Sequence, residues 1–164
     1  MIALVRVDNR LLHGQILETW IPKLGIEEVL VADDEAAQSE LARAAMTLCV
    51  PPELPARIVP LPEAPWAALA AKKARVLVLV RDVAALAAAR KGGLGPDLAR
   101  RVNLGNVHFA PGRRPVTPSV FLSDAELATL RDLAAAGFAI EARAIPSEPP
   151  AGMGDIERRY VAAP

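Results

Sequence analysis

A histidine and two arginines lie close together near the start of the chain. Arg6, Arg10 and His13 are followed directly by Gly14. Imidazole offers a nucleophilic nitrogen near neutral pH, and a guanidinium group can bind two phosphoryl oxygens at once. This combination predicts a site that holds an anionic group, most simply a phosphoryl. On these residues alone another interpretation stays open, in which an ordinary polar histidine and surface arginines flank a plain glycine turn.

The segments on either side place this motif at the end of a strand. An apolar strand is predicted over Ile2–Val7, and apolar residues at helical spacing predict a helix over Gly14–Leu24. Open α/β sheets bind ligands at the carboxyl ends of their strands, and a helix N-terminus adds free N–H groups and partial positive charge. We therefore expect the backbone N–H groups of Leu12 through Gln15 to donate to a bound phosphoryl.

Apolar strands alternate with helical segments along the rest of the chain, which predicts a mainly parallel sheet with helices on both faces. Further strands are predicted near Val29–Ala32, Arg57–Pro60, Val76–Val80, Arg101–Leu104, Val120–Leu122 and Phe138–Arg143. We expect the last of these to be an edge strand, followed by a loosely ordered tail from about residue 146. A loop is predicted over 110–118. The chain is thus interpreted as one α/β domain over residues 1–164.

One helix is predicted to begin at Asp33 or Asp34 and to end before the prolines at 51 and 52. It runs through the apolar residues Leu41, Ala44, Ala45 and Leu48. Cys49 is the only cysteine, so an internal disulfide is excluded, and its apolar neighbours predict that it is buried.

Composition narrows the class of protein. The 19 Lys and Arg residues balance 19 Asp and Glu residues, without the basic excess typical of a nucleic-acid-binding protein. No apolar run is long enough to span a bilayer. We therefore expect a soluble, cytoplasmic protein, peripheral to a membrane at most, with no nucleic-acid partner.

The motif resembles the signature of a known family. Arg6-Val-Asp-Asn-Arg-Leu-Leu-His-Gly-Gln15 is similar to R-[IV]-D-[DN]-R-[LF]-[IL]-H-G-Q of the IIB subunits of the mannose/fructose/sorbose family of the bacterial phosphoenolpyruvate-dependent sugar phosphotransferase system (PTS). Later segments resemble the family in the same order: Val31–Glu35, Ala56–Pro60, Val102–Asn106, Leu122–Glu126, Gly137–Phe138 and Ala142–Pro146. The resemblance covers almost the whole chain, and it implies an open, twisted, mainly parallel sheet with one antiparallel strand near the C-terminus.

The resemblance also implies a phosphoryl carrier. In this family the matching histidine carries the phosphoryl on Nδ1 and the matching arginine assists, so His13 and Arg10 are the expected catalytic residues. The expected phosphate-binding residues are Arg10, Leu12, Gly14, Gln15 and Arg6. The implied donor is a phosphohistidine on a IIA protein, and the implied acceptor is a sugar held by the membrane subunits IIC and IID. The family allows homodimers, and we expect no cofactor.

The acidic and amide residues of the motif have two interpretations each. Asp8 could orient Arg10 or a ring N–H of the histidine, or it could form a turn beside Asn9. Asn9 stands where the family more often has an aspartate, which removes one negative charge beside the phosphoryl. Arg6 could bind phosphate, dock a partner or pair with the acidic residues after the second strand.

Polar residues at other strand ends form a possible rim of the site. They are Asp33, Asp34, Arg81 and Asn106. Helix capping or a sheet-end turn is the competing interpretation for all of them, and it is favoured for Asp34. His108 is the only other histidine, and no further ligand completes a metal site with His13. We expect no metal.

Two other functions are compatible with the residues. One is a regulatory phosphocarrier on the same scaffold that signals without sugar transport, and the other is a nucleotide- or anion-binding module. Neither a G-x-G-x-x-G pattern nor a P-loop follows the first strand, which argues against the module. Docking of two protein partners in succession calls for a flat, mostly apolar surface around His13, to which Leu11, Leu12 and Ile16 are expected to contribute.

Overall fold

Nine strands and seven helices follow one another in the computed structural model, which describes residues 1–164. The strands are β1 (Ile2–Asp8), β2 (Glu28–Ala32), β3 (Ala56–Val59), β4 (Val76–Val80), β5 (Arg101–Asn106), β6 (Arg114–Thr117), β7 (Val120–Leu122), β8 (Ala139–Ala142) and β9 (Ala151–Gly152). The helices are α1 (Ile21–Leu24), α2 (Asp34–Gln38), α3 (Glu40–Leu48), α4 (Trp66–Ala71), α5 (Val83–Lys91), α6 (Asp124–Ala135) and α7 (Met153–Ala162). A π-helical turn, Ile16–Trp20, leads directly into α1, and a 3-10 turn covers Leu61–Glu63.

Seven strands form one sheet in the order β3-β2-β4-β1-β5-β8-β9. Every neighbouring pair is parallel except β8 and β9, which are antiparallel. All residues of β1, β2 and β4 are buried, as expected for a parallel sheet that helices cover on both faces. The predicted α/β fold with an antiparallel strand near the C-terminus is confirmed.

Alternate residues of the central strands enter two hydrophobic clusters, one on each face of the sheet. Val78 and Val80 of β4 belong to the larger cluster, whereas Leu77 and Leu79 belong to the smaller one. The smaller cluster also contains Trp20 of the π-helical turn. The π-helical turn therefore covers the face of the sheet on which the smaller cluster lies. Strand β1 directs every second side chain to that face.

The helix ends follow ordinary capping chemistry. Gly25 ends α1 with a left-handed backbone (φ 57°), and Asp82 caps α5 by accepting from the Ala85 N–H. Ser123 and Glu126 form a capping box at the start of α6. These local signals need only neighbouring residues, which is why the sequence reveals them.

The C-terminal residues differ from the prediction. They are not a loose tail, because β9 pairs with β8 and α7 packs Ile156 and Tyr160 into the larger cluster. The Tyr160 hydroxyl donates to Asp124 at 2.7 Å. The predicted edge position of β8 is wrong for the same reason. The Pro-rich and Gly-rich stretch before α7 favours a loose tail, although the apolar residues of α7 itself recur at helical spacing.

Three further predictions are wrong. The predicted loop over 110–118 contains β6, which forms an antiparallel hairpin with β7. The predicted single helix is divided into α2 and α3 at Ser39, whose extended backbone lets its side chain cap α3. Helix α3 turns Met46 toward the sheet and leaves Leu41, Leu48 and Cys49 exposed, so Cys49 is not buried.

Candidate functional site

His13 lies in a turn that begins where β1 ends. The Leu11 N–H donates to the Asp8 carbonyl at 2.9 Å, and Leu11 itself has a left-handed backbone with φ 57°. Such a conformation is strained for a leucine, by about 1–3 kcal/mol, and persists only where the surroundings enforce it. Here Leu11 and Leu12 are both buried, which anchors the turn, and the histidine side chain stays partly exposed, at 16%.

The imidazole of His13 is held by the carboxylate of Asp8. Nε2 of His13 lies 3.2 Å from Oδ2 of Asp8, and Asp8 is fully buried. An ionised carboxylate can only accept, so the proton of this hydrogen bond belongs to Nε2. In the neutral ring the lone pair therefore lies on Nδ1, which makes no hydrogen bond within the protein.

Asp8 stays ionised despite its burial. Burial alone would raise its pKa, but the hydrogen bond from His13 and the positive charge of Arg6 outweigh it and hold the pKa of Asp8 below the usual value. The backbone N–H of Arg10 also donates to Oδ1 at 3.0 Å. Asp8 thus accepts a hydrogen bond from the ring, and its bond from the backbone N–H two residues further on forms a turn, so the contacts of both interpretations occur together.

Arg6 supports Asp8 from beneath the site. Its Nη2 and Nε donate to Oδ2 of Asp8 at 2.8 and 3.2 Å, and its Nη1 donates to Oδ1 of Asn103 at 2.6 Å. The guanidinium also lies over the ring of Trp20, 5.1 Å from its centroid. Burial lowers the pKa of Arg6, and the charge of Asp8 counters that effect.

This placement corrects two predictions for Arg6. The side chain is fully buried, so it does not reach a bound phosphoryl or a docking partner. It pairs with Asp8 rather than with the acidic residues after β2. The charge of Arg6 therefore affects the site only through Asp8, whose pKa it lowers.

A β-bulge in β5 makes room for Arg6. Val7 of β1 pairs with Leu104 and Asp8 pairs with Asn106, so Gly105 is the extra residue. A Cβ on Gly105 would lie 1.9 Å from Cζ of Arg6. Only glycine permits this close approach.

Sequence reasoning missed this buried support. No short motif marks Asn103 and Trp20 as site residues, although both contact the Arg6 guanidinium. The sequence contains one indication of this contact: Arg6 is a charged residue within one apolar strand, and Asn103 is a polar residue within another. Because buried polar groups need hydrogen-bond partners, two such residues can pair. Asn103 also donates to the Arg143 carbonyl at 3.2 Å.

Arg10 lies at the exposed rim of the turn. Its side chain is 52% exposed, and Nη2 donates to Oε1 of Gln15 at 3.0 Å. With its amide oxygen turned toward Arg10, Asn106 accepts from Nε at 3.2 Å and donates to the Ser119 carbonyl at 3.2 Å. These contacts hold the guanidinium beside the histidine turn while leaving part of it available.

The start of the following helix offers free backbone donors. The backbone N–H groups of Ile16 and Leu17 donate to the His13 carbonyl. The backbone N–H groups of residues 12–15 have no acceptor within the protein. Gly14 is exposed, and a Cβ there would meet nothing within 4 Å. The structure thus brings together His13, Arg10, Gln15, Gly14 and the Leu12 N–H, and their binding of a phosphoryl group stays a prediction.

The remaining rim residues brace neighbouring loops. Asn9 donates to the Arg81 carbonyl at 3.2 Å and accepts from the His108 N–H at 2.6 Å. An aspartate at this position would lack the donor for the first of these bonds. Asn9 therefore ties the histidine turn to the loops that follow β4 and β5.

Asp33, Asp34 and Arg81 do not join His13. Arg81 donates to both carboxylate oxygens of Asp33, at 2.8 and 2.7 Å, and Asp33 also caps α2. Burial would raise the pKa of Asp33, but the Arg81 hydrogen bonds hold it below the usual value. Asp34 accepts from the Leu61 N–H.

The expected apolar surface is not built from the predicted residues. Leu11 and Leu12 are each 3% exposed and Ile16 is fully buried. They support the turn from inside the smaller cluster and do not present a docking face.

Comparison with known proteins decides the family. A sequence profile described as "PTS system sorbose subfamily IIB component" matches residues 2–160. The chain belongs to this family. This IIB chain is 30% identical over 149 residues to the N-acetylgalactosamine-specific phosphotransferase enzyme IIB component 2 of Escherichia coli K12, covering 90% of this chain and 93% of the relative.

Other relatives extend the comparison. The mannose-specific EIIAB component of Escherichia coli K12 is 26% identical over 158 residues, which cover 95% of this chain but only 48% of that longer protein. The crystal structure of the N-acetylgalactosamine-specific IIB component 1 from Escherichia coli superimposes with a TM-score of 0.83 at 25% identity, covering 92% and 97% of the two chains. The IIBSor domain of the sorbose permease from Klebsiella pneumoniae has the same fold, with a TM-score of 0.83 at 22% identity and coverage of 96% and 97%.

Family membership defines the general role of this IIB chain. PTS IIB components are sugar phosphotransferase components that work with IIA proteins and with the membrane subunits IIC and IID. The chain therefore takes part in phosphoryl transfer during sugar uptake. No helix in it is both long and apolar enough to cross a membrane.

Proposed function

We propose that this IIB chain carries a phosphoryl group on Nδ1 of His13. It accepts the group from a phosphohistidine of a IIA protein and passes it, on the cytoplasmic side, to a sugar held by IIC and IID. The observation that carries this proposal is the hydrogen bond between Nε2 of His13 and Oδ2 of Asp8 at 3.2 Å. It assigns the proton to Nε2 and leaves the lone pair on Nδ1.

In the first transfer the bond between phosphorus and the donor nitrogen breaks as the bond to Nδ1 of His13 forms. The transferred group is anionic and its transition state is loose, so the protein contributes position and charge. Arg10 supplies a partly free guanidinium, and residues 12–15 supply backbone N–H donors at a helix start. Asp8 stabilises the positive charge that the ring gains on phosphorylation.

In the second transfer the Nδ1–phosphorus bond breaks and phosphorus bonds to a sugar hydroxyl oxygen. The hydroxyl proton is released, and Nδ1 regains its lone pair. The ring need not rotate between the two steps, because Asp8 holds Nε2 throughout. The carrier thereby divides one difficult transfer into two easier ones.

The experiment that tests the proposal is phosphorylation by the complete donor chain. Wild-type protein is incubated with phosphoenolpyruvate, the upstream phosphotransfer proteins and IIA, and the intact mass and the modified residue are determined. We expect one phosphoryl group on His13, none on His13→Ala, and an unchanged gain on His108→Ala as the matched control. An acid-labile phosphoryl group retained by His13→Ala would overturn the assignment of the carrier residue.

A second arm tests the sugar step. Phosphorylated chain is mixed with membranes that contain IIC and IID, and candidate sugars are added. Loss of the phosphoryl group with formation of a sugar phosphate supports transport. A phosphoryl group that stays on His13 with every sugar tried would instead favour the regulatory phosphocarrier.

A further inference from the structure

The loop at residues 107–112, which follows β5, presents an aromatic side chain beside the histidine turn. Phe109 is 64% exposed. The other large apolar side chains with comparable exposure are Met1, Leu41, Leu48 and Val161. Among these residues, only Phe109 directly follows the carboxyl end of a strand paired with β1. It is therefore the apolar side chain best placed to meet a protein that approaches His13.

The 107–112 loop is held in place from several sides. The His108 N–H donates to Asn9 at 2.6 Å, and Arg113 donates to the His108 carbonyl at 2.8 Å. Arg113 is itself fixed by two hydrogen bonds to Glu126, at 3.0 and 2.6 Å. The ring of Phe109 meets that of Phe121 edge to face, with 5.9 Å between centroids. An aromatic side chain that is ordered before binding loses little conformational entropy in a complex.

This loop lies within the area that a phosphoryl donor covers when its interface is centred on His13. Phosphoryl passes between two nitrogens only when both are within a few ångströms of phosphorus, so the donor surface must lie over His13. An interface of about 600–800 Å² on each partner corresponds to a disc of roughly 14–16 Å in radius. The loop is one hydrogen bond away from Asn9 of the histidine turn, which places it inside such a disc.

The charge of the surface around His13 favours the phosphorylated donor, rather than the acceptor, as the partner that binds the 107–112 loop. The half-exposed Arg10 is positive, whereas Asp8 is buried, so the histidine turn presents positive charge to solvent. The exposed acidic residues Asp34 and Glu35 follow β2, two strands from β1 on the side away from β5. A donor that carries an anionic phosphoryl is attracted to the β5 side of His13. A neutral sugar gains nothing from this asymmetry.

We propose that the 107–112 loop is the docking contact for the phosphorylated IIA donor, with Phe109 as its apolar anchor. The donor then presents an apolar recess next to its phosphohistidine. This inference rests on the proposed function, in which His13 receives its phosphoryl from IIA. Anchors of this kind carry a large share of the binding energy in small interfaces.

The test compares a protein donor with a chemical one. Phe109→Ala is expected to lower kcat/KM for phosphorylation by phospho-IIA at least about tenfold, mainly through KM. Phosphorylation by phosphoramidate, which needs no docking surface, is expected to proceed at the wild-type rate. Leu48→Ala is the matched control, because it removes an apolar side chain that is even more exposed, at 85%, on α3, away from the His13 edge. Phe109→Leu, which keeps an apolar side chain, is expected to retain most of the activity with phospho-IIA.

Three results would overturn the inference while the proposed function stands. These are an unchanged kcat/KM of Phe109→Ala with phospho-IIA, an equal loss with both donors, and a loss confined to discharge onto sugar by IIC and IID. The second would mean that the loop shapes the His13 site, and the third that the loop contacts the acceptor. A wild-type chain that takes no phosphoryl from phospho-IIA would overturn the proposed function and this inference together.

Discussion

Asp8 makes all its side-chain hydrogen bonds as an acceptor. Oδ2 receives hydrogen bonds from Arg6 and His13, and Oδ1 receives one from the Arg10 backbone. The same carboxylate therefore neutralises a buried guanidinium and sets the tautomer of the histidine. At the scale of single residues, the stability of the site and its chemistry depend on one group.

Asp8→Asn tests both roles. It leaves Arg6 buried without a counter-charge, so we expect the free energy of unfolding in urea to fall by about 3–5 kcal/mol. An amide N–H turned toward Nε2 would also favour the proton on Nδ1, so phosphorylation should slow by about two orders of magnitude or more. Combining it with Arg6→Met should restore much of the stability but not the phosphorylation rate. A loss of stability below about 1 kcal/mol would contradict the importance of this buried pair.

Arg10→Lys separates catalysis from stability. Lysine keeps the charge but cannot reproduce the planar two-donor contact of a guanidinium with phosphoryl oxygens. We expect phosphorylation by IIA to slow about tenfold or more, at an unchanged unfolding midpoint, because Arg10 is half exposed. Stopped-flow or quench measurements of phosphoryl transfer check the rate, and equal rates for the variant and the wild type would remove Arg10 from the mechanism.

At the scale of elements, the site depends on how β1 and β5 pair. The bulge at Gly105 shifts the pairing by one residue and opens the space that the Arg6 guanidinium fills. The π-helical turn closes that space from the other side with Trp20. Two neighbouring strands and one turn thus cooperate to bury a charge under the histidine.

Gly105→Ala should disrupt this arrangement. The new Cβ would fall about where Cζ of Arg6 lies, so the guanidinium or the strand must move. We expect the free energy of unfolding to fall by about 1–3 kcal/mol, together with slower phosphorylation. Gly152→Ala in β9 is the matched control, because a Cβ there meets nothing within 4 Å. Similar stabilities of the two variants would mean that Arg6 is not held as described.

At the scale of the whole molecule, stability depends on buried carboxylates that face cations. Burial by itself would raise the pKa values of Asp8, Glu28 and Asp33, but their ion pairs hold all three pKa values below the usual range. A carboxyl group with a lower pKa in the folded state contributes stability that is fully present above its unfolded pKa, about 4. That contribution is lost as the pH falls through the folded pKa.

We therefore expect the free energy of unfolding to be nearly constant between about pH 5 and 7 and to decrease steadily below about pH 4. Urea titrations at a series of pH values measure this dependence. The double variant Asp33→Asn with Arg81→Met removes one of the three ion pairs and should show a shallower decrease. A wild-type stability that does not change down to pH 3 would contradict the lowered pKa values.

The C-terminal helix is the second whole-molecule feature that can be tested. Ile156 is fully buried in the larger cluster, whereas Val161 on the same helix is 73% exposed. Ile156→Ala should lower the free energy of unfolding by about 2–5 kcal/mol. Val161→Ala should change it by less than about 0.5 kcal/mol. If both variants were equally stable, α7 would not be part of the core.

Features that depend on near neighbours were readable from the sequence. The buried strands, the helix caps at Asp82 and Ser123 and the histidine turn follow from hydrophobic period, capping chemistry and a short motif. The motif, with the segments that resemble the PTS family, also indicated His13, Arg10 and the free helix-start donors. None of these predictions requires knowledge of which distant residues meet.

Only the tertiary structure decided how distant residues share the site. Arg6 was expected at the surface, but the bulge at Gly105, Asn103 on β5 and Trp20 on the π-helical turn enclose it. Helix α7 similarly became part of the core because β9 returns the chain to the sheet beside β8. A buried charge or an apolar helix face is stable only when its partners are in place, and those partners are set by strand order and register, which local sequence patterns do not encode.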